Sequence, residues 1–295
     1  MKYRTAKKII FSVLAVCWIG CLVLFYFLYN SALATPEAER AAGQARMKLA
    51  AWNVQSGEND PDVIAEQIKY FADYDVIGLN EVNSKNVDKY AEALGPQFQS
   101  FVSKTGRGIR LAILFDKNRF ELLEQKEMSE YRDWALNNGD GTHRSPIYVR
   151  LKERQTGYEF VFMTNHLARQ DNKLRQEQAA GLREWARDSQ TPIVAMGDFN
   201  FDYSFANQKG NIAFNEFMKD GVWRWIRPVE EIDSNWSDGD KDGVDDYPDS
   251  MLDFAFVANG AKELSCQCEI IVRPGDFPDD ETKSDHRPTV LRIGL

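Results

Sequence analysis

Five strand ends in this chain finish on side chains that a buried strand does not need. They are Asn53 in "AAWNV", Glu81 in "GLNEV", Asn165-His166 in "FMTNHL", Asp198 and Asn200 in "MGDFN", and Asp285-His286 in "SDHRP"; a sixth acid, Asp253, interrupts the apolar run "MLDFAF". Rigid strands hold ligand and catalytic groups well at their ends, so the pattern requires a fold that gathers strand ends at one place.

The order of elements is compatible with that. "MKLAAWNV" reads as a first strand, and Asp60-Pro61 opens a helix to about Phe71, with proline at the first helical position. "DVIGLNEV" is a buried strand, followed by a helix from Ser84 to Gly95. "IRLAILFD", "FELLEQKEM", "SPIYVRLKE" and "YEFVFMTNHL" read as strands, several with period-two alternation. Leu174, Ala179, Leu182 and Trp185 share one face of a helix over 172–188. A strand "TPIVAMGDF", a helix near 206–219 and the strands "MLDFAFV", "ELSCQCEIIV" and "PTVLRIGL" close the chain. Strands and helices mixed in this way, with hairpins in the middle, predict an α/β sandwich on two sheets with helices outside. No repeat and no second composition block divides residues 47–295, which read as one catalytic domain.

The side-chain types agree with one another chemically. Carboxylate and amide oxygens are hard ligands, so Glu81, Asp285 and Asn53 would suit magnesium or manganese. The chain has three histidines, and two of them, His166 and His286, fall at these strand ends, where they could move protons or stabilise charge on a phosphoryl oxygen. A buried aspartate needs a partner, and Asp253 could accept from the ring of His286 and fix its tautomer. No serine in a strained elbow supports serine hydrolysis, and "GRGIR" precedes a strand instead of opening a helix as a nucleotide loop would. Taken singly, each of these residues has a plain alternative as a turn, a solvated strand end or a core histidine. Six plain readings in this order are improbable together.

Residues 9–28, "IIFSVLAVCWIGCLVLFYFL", carry no charge over twenty positions, enough at about 1.5 Å per residue to cross a bilayer. Lys2, Arg4, Lys7 and Lys8 precede them, which keeps residues 1–8 cytoplasmic and makes 9–29 a transmembrane anchor. The alternative is a signal segment cleaved after Ala34, at the small-x-small site Ala32-Leu33-Ala34. Either reading puts the body outside the cytoplasm, in the periplasm or the extracellular space, joined to the segment by a polar linker over 30–46. Removing those four cations from the chain's net charge of −9 leaves −13, a balance that repels nucleic acid and anionic membranes unless cations or a basic patch intervene. Arg107, Arg110, Arg144 and Arg169 could form such a patch or stand solvated. Cys266 and Cys268 alternate on one face of a strand, where a bridge between them would be strained, so both are expected as free thiols.

"SDGDKDGVDDYPDS" packs six aspartates into the twelve positions from Asp238 to Asp249. Asp238, Asp240, Asp242, Gly243, Asp246 and Asp249 take positions 1, 3, 5, 6, 9 and 12 of a calcium-loop spacing, with the carbonyl of Val244 at position 7. The stretch lacks flanking helices and has Asp, not Glu, at the end, and it is more similar to the aspartate-rich calcium loops of thrombospondin-type repeats. A structural calcium ion or a merely solvated acidic loop are the two readings.

In order, "WNV", "LNEV", "HRSP", "TNHL", "GDFN", "LDFAFV" and "SDHRP" resemble the signature of the endonuclease/exonuclease/phosphatase superfamily, which includes deoxyribonuclease I-like enzymes, abasic-site endonucleases, sphingomyelinases and inositol-phosphate phosphatases. The resemblance covers about residues 47–295. It implies a four-layer α/β sandwich with two mixed β-sheets flanked by helices, and metal-dependent phosphoester hydrolysis. It further implies Asn53, Glu81 and Asp285 at the metal, His166 on the scissile phosphate, Asp198 activating water and Asn200 binding phosphate. Asp253 then pairs with the final catalytic histidine, His286, and Arg144 is a phosphate contact. His143 has no counterpart and reads as a surface residue. The expected activity is an exported phosphodiesterase or nuclease. The alternatives are a phospholipid or phosphomonoester hydrolase and a membrane-tethered calcium-binding module without turnover. The partner is a phosphoester substrate (nucleic acid, phosphorylated small molecule or lipid), with the membrane met through the N-terminal segment and no protein partner implied.

Overall fold

The computed structural model describes residues 46–55, 59–128, 144–274, 276–277 and 283–295. The anchor or signal segment, all of the linker but its last residue, and His143 lie outside the described residues. Among the described residues no helix is long and apolar enough to cross a membrane.

Alternation in the first strand sets the architecture. In β1 (Arg46–Asn53), Met47, Leu49 and Ala51 face one way, and Ala50 and Trp52 the other, and both faces are buried. A strand buried on both faces must lie between two layers. The inner face meets a second sheet, where Leu49, Val76, Ile113 and Phe115 pack with Val149, Phe162, Met196 and Val257. The outer face of this sheet is covered by α1 (Pro61–Ile68) and α2 (Val87–Leu94), through Ile64, Ile68, Tyr90 and Leu94. The outer face of the other sheet is covered by α3 (Asn172–Asp188) and α4 (Ile212–Met218), through Leu182, Ala186 and Phe217 against Phe199, Phe201 and Phe256. The result is the expected α/β sandwich.

The remaining strands are β2 (Val76–Val82), β3 (Phe98–Val102), β4 (Arg110–Asp116), β5 (Phe120–Glu127), β6 (Ile147–Glu153), β7 (Glu159–His166), β8 (Ile193–Ser204), β9 (Trp223–Trp225), β10 (Ser250–Ala258), β11 (Cys266–Ile270) and β12 (Thr289–Gly294). One sheet runs β11-β12-β1-β2-β4-β3 and the other β5-β6-β7-β8-β10-β9. Both are mixed: β1 with β2 and β7 with β8 are parallel, and the other neighbours are antiparallel. Asn53, Glu81 and His166 lie at the C-terminal ends of β1, β2 and β7, whereas Asp198, opposite His166, lies midway along β8 and not at a strand end as expected. Cys266 and Cys268 are free thiols, as expected.

The structure departs from the sequence reading in three elements. β3 and β9 are short edge strands with no clear alternation. The helix expected over 206–219 is confined to Ile212–Met218. Residues before it continue β8, where Tyr203 and Ser204 pair with Met251 and Ser250, and a turn through Gln208 (φ 52°) then leads to Asn211, whose side chain accepts from the Phe214 amide and caps the helix.

Candidate active site

Two register breaks aim the acids. The pairing of β2 with β4 shifts between Leu79 and Val82, and that of β10 with β8 shifts between Met251 and Asp253. Such bulges bend a strand and redirect a side chain. At the first, Glu81 takes φ 54°, a left-handed conformation that costs a non-glycine residue on the order of 1–3 kcal/mol. Its neighbour Asn80, fully buried, holds it there. The Asn80 amide donates to the Asn165 carbonyl (2.8 Å) and to Thr164 Oγ1 (3.2 Å), and its Oδ1 accepts from the Asp198 backbone N–H (3.2 Å). One side chain thus pins the end of β2 to β7 and β8 of the other sheet. Gly197, at φ 134°, must be glycine for this approach: a Cβ there would lie 2.4 Å from the Asn165 carbonyl oxygen and 3.0 Å from Asn80 Oδ1.

The predicted residues converge. His286 Nδ1 lies 2.7 Å from Asp253 Oδ2, and its Nε2 faces Asp198 Oδ2 at 3.8 Å and Asp285 Oδ1 at 3.9 Å. His166 lies between Glu81 and Asp198, its two ring nitrogens 3.5 Å from Glu81 Oε1 and 3.5 Å from Asp198 Oδ2. Asp198 Oδ2 accepts from Asn53 Nδ2 (3.1 Å), and its Oδ1 accepts from the Asn200 amide (3.0 Å). Asn200, at φ 51°, gives its own Nδ2 to the Leu167 carbonyl, so as placed it braces the loop after β7. Arg144 is held at the rim by the Ile109 carbonyl (3.3 Å), close enough to Glu81 and Asp198 to feel both charges. Arg169 is exposed and acts electrostatically on His166 and Asp285, whereas Arg110 donates to the Arg107 and Ser103 carbonyls and closes its own turn.

Three supporting residues carried no signal in the sequence beyond their neighbours. Ser284 Oγ donates to the Asn53 carbonyl (2.6 Å) and accepts from the His286 N–H (3.0 Å), joining β1 to the histidine loop. Ser234 Oγ accepts from the Leu252 and Asp253 amides, filling the gap left by the bulge. Trp52 Nε1 donates to the His286 carbonyl (2.8 Å).

The charges sort into distinct states. Burial, reinforced by Asp253 and Glu81 and opposed by His286, pushes Asp198 up to about 7. Burial likewise raises Asp285 to about 6, against the pull of His286. Burial alone would lower His286, but Asp253, then Asp285 and Asp198, outweigh it and hold the ring at about 10. His166 falls well below its ordinary value through burial, with Arg144, His286 and Arg169 adding to the effect. At neutral pH the centre therefore holds an imidazolium at 286 and a neutral imidazole at 166, with the acid at 198 raised well above the ordinary carboxylate range by burial.

The donor set fits a hard divalent cation. Asp285 Oδ1 is buried without a hydrogen-bond partner, and Glu81 raises both Asp285 and Asp198 by its charge. Asn53 is oriented otherwise than expected of a ligand: its Oδ1 accepts from the Gln55 amide (3.0 Å), which turns Nδ2 toward Asp198 and Glu81. As placed it orients the acids, and a half-turn of the amide would offer the oxygen instead.

In the aspartate-rich stretch, Asp238, Asp240 and Asp242 bring carboxylate oxygens within 4.8 Å of one another and could hold a metal ion. Asp238 accepts from the Asp242 and Gly243 amides, and Gly243 turns at φ 83°. Two later positions are engaged elsewhere: Asp246 accepts from the Gly239 amide (2.7 Å) and Asp249 bonds Asp233, while Val244 is exposed.

The profile of the Endonuclease/Exonuclease/phosphatase family matches residues 50–286. No curated protein matches the chain. Among solved structures, an endonuclease/exonuclease/phosphatase from Bacteroides vulgatus is 18% identical with a TM-score of 0.65, covering 85% of this chain and 100% of its own. A mannosyl-6-phosphatase from Bacteroides thetaiotaomicron is 18% identical with a TM-score of 0.61, covering 84% of this chain and 100% of its own. D. rerio TDP2 complexed with a single-strand DNA product is 16% identical with a TM-score of 0.64, covering 85% of this chain and 100% of its own. The profile match spans every polar site residue from Asn53 to His286, of which Asp285 and His286 lie in the loop before β12 and not at a strand end as expected, on the two-sheet sandwich shared with these structures, and the chain belongs to the Endonuclease/Exonuclease/phosphatase family of phosphoester hydrolases.

Proposed function

We propose that this chain is a divalent-metal-dependent phosphodiesterase acting outside the cytoplasm by in-line attack of water. The observation that carries the reading is the line Asp253–His286–Asp198, 2.7 Å and 3.8 Å between partners, with a general base at about 7 and an imidazolium opposite it. Asp198 takes the proton of the attacking water, and a base poised near working pH is the efficient one. His286, locked by Asp253, donates toward charge building on the phosphoryl or leaving oxygen, with neutral His166 and Arg144 as further donors. Magnesium or manganese would be held by Glu81 and Asp285, and when bound it polarises the phosphoryl oxygen.

The DNA product in the TDP2 complex supports a phosphodiester, and the mannosyl-6-phosphatase supports a phosphomonoester as the second reading. The acidic body favours this second reading for a polyanion-averse enzyme. Assays of the full-length protein on plasmid, phospholipid and a small phosphomonoester, with and without chelator, separate them: turnover of lipid or monoester alone rejects the nuclease reading. The uncharged run 9–28 after four cations supports export, and a body that stays beyond the reach of protease once any outer envelope is opened, with the cytoplasmic membrane intact, and is digested only after that membrane is lysed would contradict it.

The three converging aspartates support calcium as a structural ion in the 238–249 loop. Millimolar calcium, the range that suits weak extracellular sites, is expected to raise the melting temperature of wild type and not that of the Asp240→Ala, Asp242→Ala double variant. An unchanged wild-type melting curve would end the calcium assignment.

A further inference from the structure

Arg144 reaches the rim of the centre with its charged end unpaired. Among the described residues its one side-chain hydrogen bond runs from Nε to the Ile109 carbonyl (3.3 Å), so both terminal nitrogens keep their donors, and Glu81 and Asp198 act on its charge. The arginine is held by the loop of residues 103–109, between β3 and β4. The floor of this loop is Gly106, in the left-handed region at φ 91°, where a Cβ would stand 2.8 Å from Arg144 Cγ and 2.3 Å from the Ile109 carbonyl oxygen. Its fastening is Thr105. The Thr105 hydroxyl accepts from the Ser145 N–H (3.0 Å), in the peptide unit directly after Arg144, and donates to Glu127 Oε1. Glu127, at the end of β5, also accepts from the Thr105 N–H (2.9 Å) and the Lys104 N–H (2.8 Å). On the other side of the turn, the buried Ser103 hydroxyl donates to the Thr105 carbonyl (3.2 Å) and accepts from the Leu111 N–H (3.0 Å). The loop therefore ties β3 and β4 of one sheet to β5 and the start of β6 in the other, at the point where Arg144 emerges.

We propose that Thr105 and Glu127 are positioning residues of this centre: with Gly106 they form a cradle that aims the Arg144 guanidinium at the phosphoryl group of the substrate. This rests on the phosphoester-hydrolase reading and extends it to the loop that holds "GRGIR", a stretch that serves no nucleotide. A guanidinium recognises a phosphoryl group through two parallel N–H donors, and that match fails on a small misplacement. An arginine side chain has many rotamers, and fixing one of them before substrate arrives removes that ordering cost from binding. The Gly106 floor and the Ile109 carbonyl hold the stem and Nε, which leaves Nη1 and Nη2 for the ligand. The Thr105 hydroxyl holds the backbone from which the stem rises, and Glu127 holds Thr105.

The test is a double-mutant cycle on full-length protein with magnesium, read as kcat/KM for bis(p-nitrophenyl) phosphate and as calorimetric affinity for inorganic phosphate. Thr105→Val keeps the shape and removes the hydroxyl, and should lower both readings by about fivefold to tenfold, the size of one lost hydrogen bond. Thr105→Ser should restore them. In an Arg144→Ala background, Thr105→Val should have no further effect, because no guanidinium is left to aim. The pH profile of kcat/KM should keep its wild-type midpoints, since Thr105 touches neither Asp198 nor the histidines. Glu127→Gln should act in the same direction and more weakly, and it carries the cycle where the valine variant does not fold. A loss of equal size with and without Arg144 overturns the inference, since the loop would then serve the fold alone. Wild-type readings in Thr105→Val overturn it as well, and so does an Arg144→Ala variant that matches wild type. Phosphate binding without turnover in wild type defeats the phosphodiesterase reading, and the cycle is then decided by phosphate affinity alone.

Discussion

Asp198→Asn lowers kcat for a magnesium-supported phosphodiester by about 10²–10⁴, the range expected on removing a general base. His286→Ala falls in a similar range, and the double variant is little worse than the poorer single one, because groups that act as a unit are not additive. Melting curves separate this from unfolding. Asp198 is raised to about 7 in the folded protein by burial, so between its unfolded value near 3.9 and about 7 the native state binds the extra proton. Its contribution to stability therefore declines as pH rises through that window. At pH 8 with chelator present, the asparagine variant escapes this penalty and should melt no lower than wild type. A variant that is both inactive and much less stable would mean that Asp198 serves the fold; one that keeps full activity would remove it from the mechanism.

The residues that perform the proposed chemistry were readable in the sequence because each is an anomaly against a regular background. Asp253 between Leu252 and Phe254, and Glu81 at the end of "VIGL", stand out since apolar strands have no use for acids, and the structure buries the first at 1% exposure. The layers were readable for the same reason: Met47, Leu49 and Ala51 alternate with Ala50 and Trp52, and burial on both faces demands a layer on each side. The bracing residues gave no such signal. Asn80, Ser284 and Ser234 act through bonds to main-chain groups far away in the chain, from Asn80 to Asn165 and from Ser284 to Asn53, and small polar residues beside a motif look like any turn. The two bulges were equally hidden. A register shift depends on which strand lies alongside, and neither the β2–β4 nor the β10–β8 pairing is written in local periodicity. The short edge strands β3 and β9 offer five and three residues, too few for alternation to show.

The acidic stretch and the isolated acid exchange importance once the chain is folded. Six aspartates between 238 and 249 hold their charges mostly in solvent, where three of them gather. One aspartate, Asp253, has its charge taken up by His286, with Ser234 bonded to its own amide and its second oxygen left without a partner. Solvated carboxylates interact weakly, whereas a buried pair is strongly destabilised when one partner is removed.

Asp253→Asn therefore combines a kinetic effect with a stability signature. The substitution keeps the shape of the side chain but no longer holds the Nδ1 proton of His286 in place, and loss of such an orienting acid lowers kcat by up to about 10⁴ in the serine-protease triad. Here a loss of about 10²–10³ is expected, since Asp285 and Asp198 also face the ring. The stability effect has a defined pH window. His286 is held at about 10 in the folded protein, above an unfolded value near 6.5, so the pairing contributes fully below pH 6.5 and is lost as pH rises through 10. With chelator present, wild type should melt well above Asp253→Asn at pH 6, and the gap should close as pH approaches 10. For a domain of this size, about 3 kcal/mol at pH 6 corresponds to roughly 6–12 °C. A gap that stays constant from pH 6 to 10 would mean that Asp253 contributes by packing alone, and His286 would then have to be neutral when it meets the phosphate.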